Sequence, residues 1–188
     1  MKMRARAVDW ALFALVSFEC ITGLISFTMG RPESRLLFVL HGMVGLAIVV
    51  LLFWKIRRVR RRVTEPRRWQ RATIVSMLLA VTAIASVATG IVWTAVQWPV
   101  GYPSGMILHT TFGILLLLLV FWHMVLRYRP LSRRDVKDRR TALSALGVLL
   151  AGGLAWTVQD RSVRLLGAPG ASRRFTGSRS AGPEQGNG

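Results

Sequence analysis

His41-Gly42-Met43-Val44-Gly45, ending in Leu51-Leu52-Phe53-Trp54-Lys55, and His109-Thr110-Thr111-Phe112-Gly113, ending in Leu119-Val120-Phe121-Trp122-His123, are two copies of one pattern. The copies lie 68 positions apart: His41 matches His109, Gly45 matches Gly113, Phe53-Trp54 matches Phe121-Trp122, and Lys55 matches His123. All three histidines of the chain fall within the pattern, and each is embedded in an apolar run. An imidazole in hydrocarbon is expensive without a partner, so a repeated pair points to a shared ligand.

The surrounding chain sets the solvent. Its 188 residues are 52% hydrophobic yet carry a formal charge of +18, with a mean hydropathy of +0.42. The charges are gathered into short blocks between long apolar runs, the pattern of a membrane protein rather than a nucleic-acid binder. Five spans are expected, at about 8–29, 35–56, 72–98, 104–127 and 142–158. The first four each reach the ~20 residues that cross about 30 Å of hydrocarbon; the fifth is shorter and richer in Gly and Ala. Cys20 is the single cysteine, which excludes an intrachain disulfide and a Cys-x-x-Cys-His haem attachment.

Basic residues give the expected orientation. Lys2, Arg4 and Arg6 precede span one, nine Lys and Arg from Lys55 to Arg71 fill the second connection, and seven more lie from Arg127 to Arg140. The first connection has only Arg31 and Arg35, and the third has none. The positive-inside rule then puts the N-terminus in the cytoplasm and the C-terminus outside. Span one is too long for a cleavable secretory signal and shows no small-residue cleavage site. Trp54, Trp93, Trp98, Tyr102, Trp122 and Tyr128 are expected near the interfaces, as belt aromatics.

The repeat is wider than the histidines. Thr22-Gly23 corresponds to Thr89-Gly90 at an offset of 67, so each copy is a hairpin starting from the cytoplasm. This is a parallel repeat about an axis along the membrane normal. The expected fold is therefore all-α: an integral-membrane four-helix bundle from a duplicated hairpin, plus a fifth transmembrane helix. Residues 1–130 form the bundle and 131–160 a basic linker with the fifth helix. Residues 161–188 form an external tail, largely disordered by its Gly, Ser, Pro and Arg content.

His41 lies six residues past Arg35 and His109 five past Ser104. At 1.5 Å per residue both sit about 9 Å below the outer surface, on helices running the same way. Two histidines at equal depth on facing helices suit the two axial positions of one b-type haem. Gly45 and Gly113, one turn deeper on the same face, leave room for a flat macrocycle against the backbone. The rival is ordinary packing, in which histidines bond between helices and glycines allow close approach.

Fourteen residues separate His109 from His123, which returns to within about 40° of the same face roughly 21 Å further along. That spacing lets one helix serve two stacked haems, but the matching position in span two is Lys55. One haem is favoured and two remain open. With one, His123 is a relic, an interfacial polar anchor or part of a quinone pocket. Arg31 and Arg35 stand above the site, either to pair with haem propionates or as ordinary interface flanking. Glu19 is an acid within span one, suited to proton uptake linked to quinol or to a hydrogen bond with a neighbouring helix. No residue set suggests a hydrolase or transferase, so any catalysis would be quinone redox chemistry.

On these residues the chain resembles the bacterial membrane cytochromes b, the group that includes cytochrome b-561 and the hydrogenase b-type subunit. It is most similar to the modules joined to molybdopterin-dependent, sulfite-oxidase-like oxidoreductases. The likeness covers roughly residues 8–127 and rests on His41, His109, Gly45 and Gly113. It implies a subunit of the bacterial cytoplasmic membrane that exchanges electrons between the quinone pool and an external redox enzyme. Asp138-Arg139-Arg140 and the apolar run after it resemble a twin-arginine export signal, and equally the flank of an ordinary span. Arg173-Arg174-Phe175-Thr176-Gly177-Ser178-Arg179 resembles the junction before the molybdenum domain of fused forms. The chain ends at Gly188 without such a domain, so the expectation is either a separate subunit in that role or a pairing that has been lost. The alternatives are a haem-free membrane anchor or assembly subunit of a respiratory or molybdoenzyme complex, and a small transporter.

Overall fold

The computed structural model describes residues 5–26, 35–65, 67, 69–98, 103–126, 130 and 139–172. Five helices account for nearly all of them: α1 (Ala5–Ser26), α2 (Arg35–Thr64), α3 (Arg71–Val96), α4 (Gly105–Leu126) and α5 (Arg139–Leu165). A short 3-10 turn, Pro169–Ser172, follows α5, and no strand occurs among the described residues. All five helices are long and apolar enough to cross a membrane. Arg31, Tyr102, Tyr128 and the segment 173–179 lie outside the described residues.

Two helices exceed their expected spans, and composition explains why. The α2 helix runs on to Thr64 through Lys55, Arg57, Arg58 and Arg60, because lysine and arginine are good helix formers whose stems let the charge reach water. The α5 helix starts at Arg139 and reaches Leu165 rather than ending near 158. Its last turns carry Asp160 and Arg164, an i,i+4 ion pair at 3.0 Å.

Helices α1 to α4 form a closed ring in which each touches the next and α4 returns to α1, while α5 packs outside on α2. The outer surface is apolar: Leu36, Val81, Leu118, Phe121, Leu150 and Leu154 are each more than 60% exposed. In water such a perimeter would be a severe aggregation liability; against lipid tails it is the expected surface.

The interior is divided along its length. Val8, Leu12, Leu51, Leu52, Leu116 and Val120 pack a tight core in the half nearer the start of α1 and the end of α2. Toward the other end, above Val16, Ile48 and Ala83, the ring opens into a cavity of about 260 Å³. This is where the histidine pattern comes together.

Helix α5 closes one side of that cavity. A methyl group on Gly152 would lie 2.5 Å from the Met43 carbonyl oxygen and 2.8 Å from Ala47, so only glycine lets the two backbones meet. One turn on, the Trp156 ring occupies the space beside Gly42. Gln159 donates to the Thr94 hydroxyl at 2.9 Å, tying the far end of α5 to α3. Trp93, expected among the interfacial aromatics, is instead buried. Its ring covers Gly105 at the start of α4 and lines the cavity.

Candidate functional site

The four ring helices each present one part of a paired arrangement. His41 on α2 faces Thr22 and Glu19 on α1; its Nδ1 is 2.9 Å from Thr22 Oγ1 and 3.1 Å from Glu19 Oε2. His109 on α4 faces α3, with Nδ1 2.8 Å from the Ser86 carbonyl oxygen. The two rings meet across the bundle with centres 6.0 Å apart and planes at 84°.

The partners assign the tautomers. A carbonyl oxygen only accepts, so the Ser86 contact puts the proton of His109 on Nδ1. The Thr22 hydroxyl donates to the backbone carbonyls of Phe18 at 2.9 Å and Glu19 at 3.1 Å. With its single proton directed there, its oxygen is free to accept from His41 Nδ1, which the Glu19 oxygen also faces. In the tautomer with the proton on Nδ1, each Nε2 keeps its lone pair. This is the arrangement in which one imidazole nitrogen is anchored and the other is left to bind a metal.

The offset of 67 that aligns Thr22-Gly23 with Thr89-Gly90 also aligns Glu19 with Ser86 and Asp9 with Ser76. The contacts follow it. Thr89 donates to the carbonyls of Ala85 at 2.7 Å and Ser86 at 3.0 Å, as Thr22 does to Phe18 and Glu19. At the other end of the bundle, Asp9 pairs with Lys55 at 3.0 Å, and Ser76 meets His123 Nδ1 at 3.4 Å. The repeat thus builds two polar tiers, and at each of them the first copy has an acid where the second has a serine.

The glycines divide their work differently from expectation. The Cβ positions of Gly23 and Gly90 face the histidines: 3.5 Å from His41 Cε1, and 3.0 Å from both Cε1 and Nδ1 of His109. Gly45 faces the Glu19 carboxyl instead, at 3.5 Å, and Gly113 faces Ser86 Oγ at 3.9 Å. All four glycines line the cavity. Cys20 also reaches it, with its thiol 3.7 Å from the Gly113 carbonyl.

Of the other expected site residues, Arg35 is exposed in the first turn of α2, and Arg31 lies outside the described residues. His123 is buried in the second tier. Lys55 Nζ pairs with Asp9 at 3.0 Å. Ser86, Ser76 and Asp9 were not singled out from the sequence, although the 67-residue offset already aligned each with a partner.

No protein-family model, curated protein or solved structure matches the chain.

The pair can be tested against the group it would hold. Among the described residues no three His, Cys, Asp or Glu side chains surround a common metal position. Two imidazoles across a six-coordinate iron place their ring centres about 6 Å apart, from ~2 Å per metal–nitrogen bond and ~1 Å from nitrogen to ring centre. The observed 6.0 Å agrees with that span. The largely apolar cavity around the pair, with Gly23 and Gly90 beside the rings, suits a flat hydrophobic group.

Proposed function

We propose that this chain is a membrane cytochrome b subunit that holds one b-type haem between His41 and His109. One observation carries the reading: two histidines from a duplicated hairpin, each anchored through Nδ1, face one another at 6.0 Å in an apolar cavity. A haem bound there would supply one-electron exchange between ferrous and ferric iron. The chain's own residues orient the two Nε2 lone pairs and exclude water through the walls of the ring. Trp156 and Gln159 on α5 shield the side next to α2. In this reading Arg35, six residues before His41 in the first turn of α2, would be the cation for haem propionates.

In this proposal the fifth helix completes a bacterial cytoplasmic-membrane protein with its N-terminus inside and its C-terminus outside, following the distribution of Lys and Arg. The haem then lies toward the outer face. Electrons pass between the quinone pool and an external redox enzyme, the resemblance favouring a molybdopterin oxidoreductase. A single haem is favoured because Lys55 is paired with Asp9 and the half of the bundle around it is tightly packed.

The rival reading, a haem-free anchor or assembly subunit, also has an observation in its favour. Both Nδ1 atoms find partners within the protein, as packing histidines do. Pyridine haemochrome assay of protein purified in mild detergent separates the two. The cytochrome reading expects close to one haem b per chain, reducible by a short-chain quinol; well-folded protein without haem would leave the anchor.

A further inference from the structure

Glu19 is the point at which the two copies of the hairpin differ most in chemistry. Its counterpart is Ser86, and the two histidines are anchored accordingly: His109 by a neutral backbone carbonyl at 2.8 Å, His41 by a carboxyl oxygen at 3.1 Å as well as a hydroxyl. An ionised carboxylate is a stronger acceptor than an amide carbonyl, and a strong acceptor at Nδ1 raises the basicity of the imidazole at Nε2. With Glu19 as the carboxylate, the two histidines are therefore not equivalent donors.

The surroundings preserve this contact at a cost. The second carboxyl oxygen, Oε1, is buried and has no hydrogen-bond partner. Burying an unsatisfied polar atom is unfavourable, which sets Glu19 apart from the apolar residues that pack the ring. Asp9, the other acid of α1, is matched by Lys55. Among the described residues, the ion-pair partner of Glu19 is His41. Opposite the carboxyl stands Gly45, whose Cβ position lies in ordinary contact with Oε2 at 3.5 Å.

We propose that Glu19 is a positioning residue for His41: as a carboxylate it would hold the proton on Nδ1 and make His41 the more electron-donating of the two ligands, stabilising the oxidised iron. This rests on the cytochrome reading above. The asymmetry places the stronger ligand on the first copy, so the duplication yields a haem with two different faces.

Redox titration of the wild type, Glu19→Gln and Glu19→Ala, with low-spin electron paramagnetic resonance spectra of the oxidised forms, tests it. Partners of metal-bound histidines typically alter affinity 10- to 100-fold. With the lower end falling on the ferric form alone, Glu19→Ala should favour reduction about tenfold, or 59 mV for one electron. Glu19→Gln keeps an oxygen acceptor and should fall between, so it also reads the effect if the alanine variant binds haem poorly. The resonance anisotropy should shift in the same order. A haem-bearing wild type whose potential and spectrum both variants leave unchanged overturns this inference alone. A wild type without haem overturns the cytochrome reading, and this inference with it.

Discussion

Gly23 and Gly90 occupy equivalent places in the two hairpins, and the structure expects them to respond oppositely to the same substitution. A methyl group at Gly90 would stand 3.0 Å from both Cε1 and Nδ1 of His109, where ordinary contact begins near 3.4 Å. The ring has to yield by about 0.4 Å, and it is held by its 2.8 Å bond to Ser86. Overpacking of this kind is unfavourable by ~1–3 kcal/mol. Against it stands the gain of ~1 kcal/mol that alanine brings over glycine in a helix. Gly90→Ala should therefore be a net loss of up to about 2 kcal/mol. It should also lower haem affinity by about tenfold, because the ring that must move is a proposed ligand. At Gly23 the methyl would lie 3.5 Å from His41 Cε1, an ordinary contact. There the propensity gain is unopposed, and Gly23→Ala should be neutral or stabilising by up to ~1 kcal/mol. Thermal unfolding in detergent and haem per protein, measured on both variants in parallel, read the two effects. Equal responses, or a worse outcome at Gly23, would refute the reasoning from contact distance.

Three further outcomes are expected. Gly152→Ala puts a methyl 2.5 Å from the Met43 carbonyl, a backbone atom that cannot rotate away. It should lower stability by ~1–3 kcal/mol as α5 is forced off α2, seen as a fall in the thermal midpoint. His123→Ala should leave the haem content unchanged at one per chain, since His123 lies in the other polar tier; loss of half the haem from a two-haem wild type would instead show a second site. Reporter fusions at the two ends should be active on opposite sides of the membrane, cytoplasmic at the N-terminus and external at the C-terminus, as the Lys and Arg distribution requires.

The pairing of His41 with His109 was legible because a repeat translates sequence offset into spatial equivalence. Once Thr22-Gly23 and Thr89-Gly90 are aligned, two histidines on parallel-running helices have to lie at one depth. The membrane spans were legible for a simpler reason, their length and composition. The glycines were read less well. A sequence shows that Gly45 shares a helix face with His41, but which neighbour that face meets depends on helix rotation, and the structure turns Gly45 toward Glu19. The anchoring of His109 was beyond reach of side-chain patterns altogether, since its partner is the backbone carbonyl of Ser86. The pairing of Lys55 with Asp9, a nearly half-exposed residue on α1, was not legible either, because it is decided by the local meeting of α1 and α2. The reach of α5 to Leu165 was missed because Asp160, Arg161 and Arg164 interrupt the apolar run without interrupting the helix.

The central claim is that His41 and His109 together hold a haem. It is tested most directly by the dithionite-reduced minus air-oxidised difference spectrum of the purified protein, taken alongside His41→Ala and His109→Ala. A b-type α-band in the wild type that is lost in each single variant, with both variants still folded by circular dichroism, is the predicted result. A wild type with no such band, or a band that survives unchanged in both variants, would contradict it.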